Sequence, residues 1–358
     1  MRRSTCLLLL VLAACGERPV PRVGVVISAR PAQVVPIAAA HAAGTGGPVF
    51  EPVIQLTPEA ASAETALQVA EALVSDPAVI AVIGHSNSAA SLAASQVYNA
   101  AGIVQIAPTT TAPVYDETGP FSFRMVPSDT AQARFIVDAL YDGLPADARV
   151  AVVYVNDDYG RGLYRYARPH IRSTVFEGMY ADVADTTNLY HLGDRVAAAR
   201  PDIVLWLGRP WRLRNFLAQL RPVLPDVAVL CSDACDEPTM YQNANGEFTG
   251  VRFVQFLDPH AAAAATVQAE YSAVVREMAT AEALLAYDAA RLIAAAIADG
   301  ADSGEDVRRW LVSLGRERPA WQGITGLLSF EVTGTARRSY RLARVVGRDS
   351  VVSTVPGR

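Results

Sequence analysis

Two clusters of small hydroxyl residues close two apolar runs of this chain, and their chemistry suits the binding of an anion. Residues 79–83 lead to Ser86 and Ser88, and residues 103–107 lead to Thr109, Thr110 and Thr111. The segment between them is rich in alanine and of helical length. That pattern reads as strand, helix, strand, with polar groups at the C-terminal end of each strand. Ligands of open α/β sheets bind at such ends. A helix beginning near Ser86 adds free backbone N–H groups and a positive dipole end, which favour a carboxylate or phosphate. The bland alternative is a pair of capped turns.

Gly84-His85-Ser86-Asn87-Ser88 also approaches the G-x-S-x-G nucleophile elbow, which would make Ser86 the nucleophile of a serine hydrolase. Ser88 stands where that motif needs its last glycine, and His41, His170, His191 and His260 have no motif context. No Gly-rich dinucleotide fingerprint or phosphate loop is present, so no cofactor is expected. Cys231 and Cys235 lie beside Asp233, Asp236 and Glu237. A disulfide, two free thiols and a metal site are all open readings, the last weakened by the lack of a nearby histidine.

The ends and the composition narrow the class. Arg2 and Arg3 precede a short apolar run, and Leu12-Ala13-Ala14-Cys15 follows. This reads as a lipoprotein signal peptide over residues 1–14, with lipidation at Cys15 and a location outside the cytoplasmic membrane. Ordinary cleavage, with Cys15 incidental, is the other reading. No later run is apolar enough to span a bilayer. The rest of the 358 residues suffices for two domains, and 51% hydrophobic content argues for well-packed cores. The net charge is −5, and all 31 basic residues are arginines, scattered without a stripe that would argue for nucleic acid.

These groups must be held by a repeating framework. Residues 22–28 read as a strand buried on both faces, because the run does not alternate. A helix over 32–43, a strand over 49–56, a helix over 59–75 with Pro58 at its start, and the strand–helix–strand unit above follow. The order implies a parallel sheet with right-handed crossovers. Residues 123–127 read as a crossing point, after which Asp129 and Gln132 would form a capping box. A second series then begins, with strands at 149–155, 174–180, 202–207 and 227–231 and helices between them. Extended residues 251–257, helices over 264–278 and 280–299, and strands at 326–331 and 340–346 complete the chain.

Several short motifs, in order, resemble the periplasmic binding proteins of the branched-chain amino-acid (Leu/Ile/Val) type. They are Gly84-His85-x-x-Ser88, Ala101-Gly102-Ile103, Pro108-x-x-Thr111-x-Pro113, Phe123-Arg124-x-x-Pro127-Ser128-Asp129, Asp158-Tyr159-Gly160-Arg161-Gly162, Ala286-Tyr287-Asp288-Ala289 and Gly323-x-Thr325-Gly326-x-x-Ser329-Phe330. The resemblance covers roughly residues 22–346. It implies an α/β fold of two doubly wound parallel-sheet lobes joined by a three-strand hinge, the type I or Venus-flytrap architecture. Lobe 1 would comprise 22–125 plus 255–326 and lobe 2 126–254 plus 327–350, with crossings near Met125, Val254 and Leu327.

The resemblance also implies an exported, non-enzymatic solute-binding protein that captures a small amino-acid-like ligand for an ABC permease. A sensory ectodomain without transport is the alternative within the same fold. Ser88 matches the serine that bonds the ligand carboxylate, and Thr109 and Thr111 match contacts of the second strand end. Asp233 matches the acid that pairs with the ligand ammonium, and Tyr159 a tyrosine facing the cleft. Trp206, Arg209 and Trp211 lie near another strand end, where one of them would close on the ligand side chain. The first loop departs from the family: Ser28-Ala29-Arg30-Pro31 puts Arg30 within reach of the cleft, which would favour a more acidic ligand.

Overall fold

A computed structural model describes residues 20–354, apart from 45, 59–60, 182–186, 242, 244 and 349. Cys15 and the signal peptide expected over residues 1–14 lie outside the described residues. The first sheet contains β1 (Arg22–Val26), β2 (Glu51–Ile54), β3 (Val79–Gly84), β4 (Val104–Ala107) and β5 (Ser122–Arg124). Its order is β2-β1-β3-β4-β5, and every pairing is parallel. The second series supplies β6 (Val150–Val155), β7 (Thr174–Tyr180), β8 (Ile203–Leu207), β9 (Ala228–Cys231) and β10 (Arg252–Gln255). A hairpin of β11 (Trp321–Gly323) and β12 (Gly326–Leu328) follows, then β13 (Arg341–Gly347) and β14 (Ser350–Thr354). The second sheet runs β14-β13-β10-β9-β8-β6-β7.

The strands read as unbroken apolar runs because both faces of each sheet are buried. In β8, Ile203, Leu205 and Leu207 enter one core while Val204 and Trp206 enter another. In β6, Val150 and Val152 alternate in the same way with Ala151, Val153 and Val155. In the first sheet, Val23 and Val25 face the large shared core and Val26 faces the layer beneath helices Ala63–Val74 and Ser88–Ala101. Period-2 geometry is thus present, but both sides need apolar residues.

The parallel expectation holds for most of the second sheet but not its edge. β13 pairs antiparallel with β10, and β14 antiparallel with β13. Only two residues separate β13 from β14, so that pair must be antiparallel, since a parallel partner needs a long crossover. The helix expected over 59–75 begins at Ala63, where Ser62 Oγ accepts from Thr65 N at 3.2 Å. Helix Gly304–Ser313 was not foreseen, although Ser303 caps it by accepting from Asp306 N at 3.3 Å. Among the described residues, no helix is long and apolar enough to cross a membrane.

The chain passes between the two sheets at 125–128, at 256–264 and at 337–340. The sequence places the third passage near Leu327. Residues 327–336 remain instead with the first sheet: Thr335 bridges Arg124, and Ala336 N donates to Arg124 O at 3.0 Å. Gly334 makes this possible. Its φ is +81°, and a Cβ there would strike the carbonyl of Ser122.

Arg124 fastens these segments. It is fully buried, and its guanidinium donates to Thr335 Oγ1 at 2.8 Å, Ala112 O at 3.0 Å and Asp116 Oδ1 at 2.5 Å. Arg124→Ala leaves Asp116 without its cation and opens a void beside the third passage. The expected loss of stability in urea unfolding is about 3–5 kcal/mol. Arg124→Lys should recover little of it, because an ammonium cannot serve three divergent acceptors in one plane. A loss below about 1 kcal/mol for the alanine variant would show that this contact does not hold the passage.

Candidate functional site

The first wall of the interlobe cavity follows from how β3 ends. Gly84, with φ +148°, approaches the backbone of Val26 too closely for a side chain. The chain then turns through His85 and Ser86 into helix Ser88–Ala101, whose N-terminus opens on the cavity. Asn87 is the N-cap: its side chain accepts from Ala90 N at 2.8 Å and donates to Ala61 O at 3.1 Å. Ser86 therefore does not cap this helix; its Oγ accepts from Ser28 N at 3.0 Å and ties in the first loop. Ser88 Oγ is spared capping work and makes only long contacts, with Thr111 N and Ala112 N at 3.4 Å. Thr109 Oγ1 donates to Ser86 O at 3.3 Å, which couples the ends of β3 and β4.

The second wall comes from the other lobe. Asp157 caps helix Asp158–Ala167, accepting from Gly160 N at 2.8 Å, and this sets Tyr159 on the first turn. The phenol lies 2.5 Å from Asp233 Oδ1, to which it donates, and 2.9 Å from Ser232 Oγ. Cys231 and Cys235 are joined by a disulfide, so Ser232, Asp233 and Ala234 sit in a covalently closed turn at the end of β9. That resolves the three readings of the cysteine pair. Next to it, Asp236 is buried; Oδ1 accepts from Tyr241 Oη and from Gln255 Nε2 at 3.2 Å, while Oδ2 has no hydrogen-bond partner among the described residues.

All five residues singled out from the sequence, Ser88, Thr109, Thr111, Tyr159 and Asp233, line this one cavity. Arg209 also lines it, with its guanidinium 5.7 Å from the Trp211 ring and 3.9 Å from Asp157. Trp206 does not: it is fully buried, stacked on Tyr180 at 4.8 Å. Trp211 and Arg30 belong to an adjoining outer groove. The expectation that Arg30 reaches the cleft is overturned, because its exposed guanidinium pairs with Glu277 at 2.8 Å. Sequence reasoning missed Asp236, Glu237, Phe256 and Glu282 as lining residues. Asp236 and Glu237 look like ordinary loop carboxylates until the groups packed over them are known.

The capping box proposed for Asp129 and Gln132 does not form. Ser128 occupies the N-cap position and Asp129 the first helical position of Asp129–Leu140, one residue out of register with the box. Asp129 N donates instead to Thr111 O at 2.8 Å, across the two lobes. The carboxyl of Asp129 is buried, and burial together with the nearby charge of Asp233 pushes it up to about 8. Burial likewise raises Asp233, opposed by the hydrogen bond from Tyr159, and lifts Asp236 to about 7 against its bonds from Tyr241 and Gln255. Buried acids of like sign resist losing their protons together. A cation entering the cavity would relieve that repulsion.

A hydrolase using Ser86 would need a base beside it, and the histidine of this turn is His85. The ring of His85 is buried with Nε2 3.3 Å from Tyr98 Oη, and burial lowers its pKa to about 4.

With this geometry in hand, the likeness to known proteins is informative. A family model described as periplasmic binding protein matches residues 37–350. An amino acid binding protein of Pseudomonas aeruginosa is 35% identical over 127 residues, 34% of each chain. Leu/Ile/Val-binding protein homolog 1 of Brucella melitensis is 32% identical over 133 residues, 36% of this chain and 35% of that one. The matched region is thus about a third of the length of these relatives. Among solved structures, the branched-chain amino acid transporter substrate binding protein LivJ of Streptococcus pneumoniae, in complex with isoleucine, superposes with a TM-score of 0.80 at 20% identity, covering 94% of this chain and 99% of that one. A solute binding protein of a Rhodopseudomonas palustris ABC transporter, in complex with benzoate, superposes at 0.75 with 14% identity, covering 93% and 95%. At these identities the superpositions establish the fold of two α/β lobes.

The raised acids make a prediction with a definite sign. Asp129 titrates near 3.8 when free and near 8 when folded. Its neutral form therefore contributes stability that is complete below about pH 4 and is lost as pH rises toward 8. Urea unfolding at pH 5 and pH 8 should show a smaller loss on going up in pH for Asp129→Asn than for the parent. Equal losses in the two proteins would mean that Asp129 is ionised in the folded state throughout this range.

Proposed function

Because this chain belongs to the periplasmic binding protein family, we propose that it captures a small amino-acid-like ligand between its lobes and delivers it to an ABC-type permease. The observation that carries this reading is the meeting of two complementary half-sites in one cavity. Ser88, Thr109 and Thr111, with the helix N-terminus behind them, form an anion-binding end. Tyr159 and Asp233 form a cation-binding end on the opposite lobe. A zwitterion with its charges a few ångströms apart satisfies both at once, and neither lobe alone can do so. Ligand binding then favours the closed arrangement by as much as it prefers that arrangement over the open one.

The roles divide by lobe. A carboxylate docks first on the hydroxyls and backbone amides of the first lobe. Closure brings Asp233 onto the ammonium, and the disulfide-closed turn keeps that carboxylate from relaxing away. The three passages between the sheets bend while each lobe stays rigid. The first residue retained after export would be Cys15, carrying a lipid that holds the protein at the membrane surface near its permease. Mass spectrometry of the native N-terminus tests this, with an acylated Cys15 expected and an unmodified terminus elsewhere counting against it.

Calorimetry with a panel of α-amino acids tests the site itself. Ser88→Ala should weaken the best ligand by about 1.5–3 kcal/mol, the value of a hydrogen bond to a charged group. Asp233→Asn should cost about 2–5 kcal/mol, because the ammonium is left buried without its charge partner. Most of that loss should appear as faster dissociation. Unchanged affinity in both variants would place the ligand elsewhere.

A further inference from the structure

The two half-sites account for the charged ends of an α-amino acid but not for the rest of the cavity wall. Beyond them the lining consists of Ala234, Ala281 and Phe256, with Arg209, Asp236, Glu237 and Glu282. An aliphatic side chain directed there would exclude water from this wall and leave Asp236 Oδ2 without a partner. With Asp233 assigned to the α-ammonium, three further acids face one guanidinium among the lining residues. Arg209 stands beside Asp157 and Trp211 at the second-lobe rim.

Asp236 is the distinctive member of this wall. It is only 6% exposed, one oxygen is fixed by Tyr241 and Gln255, and the other has no partner among the described residues. A carboxylate held on one side, buried and without a partner on the other, and lining the cavity gains a hydrogen bond from a ligand donor that reaches it. Building on the reading of this cavity as an amino-acid site, we propose that the favoured ligand carries a second cation, an ammonium or guanidinium at the end of its side chain, which bonds to Asp236 with Glu237 and Glu282 nearby. The methylene stem of such a side chain would lie on Ala234, Ala281 and Phe256, with only its tip charged. The carboxyl of Asp236, raised by burial to about 7, would give up its proton as the cation arrives.

Titration calorimetry on the mature protein with L-arginine, L-lysine, L-leucine and L-isoleucine separates the possibilities. Either basic amino acid should bind at least tenfold more tightly than either aliphatic one. Asp236→Asn, which keeps the shape and the bonds from Tyr241 and Gln255, should remove most of that advantage. Glu282→Gln, on the other wall, should narrow the same ratio and covers the case in which the Asp236 variant fails to fold. Tighter binding of leucine than of arginine, abolished by Ser88→Ala, would overturn the cationic assignment and leave the amino-acid site standing. Tight arginine binding that Asp236→Asn does not weaken would overturn the role of Asp236. No binding of any of the four would defeat this proposal; if a wider panel of α-amino acids also fails to bind, the amino-acid reading falls with it.

Discussion

A parallel strand buried on both faces can present polar groups to a ligand only at its ends. That constraint shapes this molecule. Apart from Gln105 in β4, the central strands of both sheets are apolar on each side, and their residues feed separate cores. Chemistry is therefore concentrated in the turns after β3, β4, β8, β9 and β10 and at the starts of helices Asp158–Ala167 and Ala281–Ala298. Because the two sheets turn these ends toward each other, short segments distant in sequence make one cavity. The same constraint explains why its walls are rigid. Each functional turn is anchored by a strand that cannot shift without exposing apolar surface.

Local devices then fix each side chain. Asn87 takes the capping role and so leaves Ser88 available, while Asp157 does the same for Tyr159. The Cys231–Cys235 disulfide closes the turn that carries Asp233. Arg124 joins the end of the first sheet to the returning chain through Asp116 and Thr335. Asp129 N reaches Thr111 O between the lobes, and Tyr340 Oη donates to Ser128 O at 3.0 Å, joining two of the passages. These contacts hold buried acids close together, an arrangement that is unfavourable by itself and becomes favourable when a cationic group enters.

The strands and the first-lobe hydroxyls were legible because their signals are local. An unbroken apolar run followed by a polar turn states its own place in a parallel sheet. Tyr159 and Asp233 were legible through family resemblance, and the structure brings both to the cavity. Asp129 was misread because Ser128 and Asp129 offer two capping registers one residue apart, and only the contact with Thr111 decides between them. Asp236 was invisible as a wall residue because its burial comes from Tyr241 and Gln255. Arg30 misled because the position of Glu277, nearly 250 residues away, cannot be read from the first loop. The third passage was displaced by a glycine turn whose fit against Ser122 is a tertiary fact.

The central claim is that one ligand is gripped by both lobes and draws them together. Small-angle X-ray scattering of the protein with and without a saturating ligand tests it most directly. The account predicts a smaller radius of gyration in the bound state for the parent protein, with the contraction lost at equal occupancy in Asp233→Asn. An identical radius with and without bound ligand would contradict it.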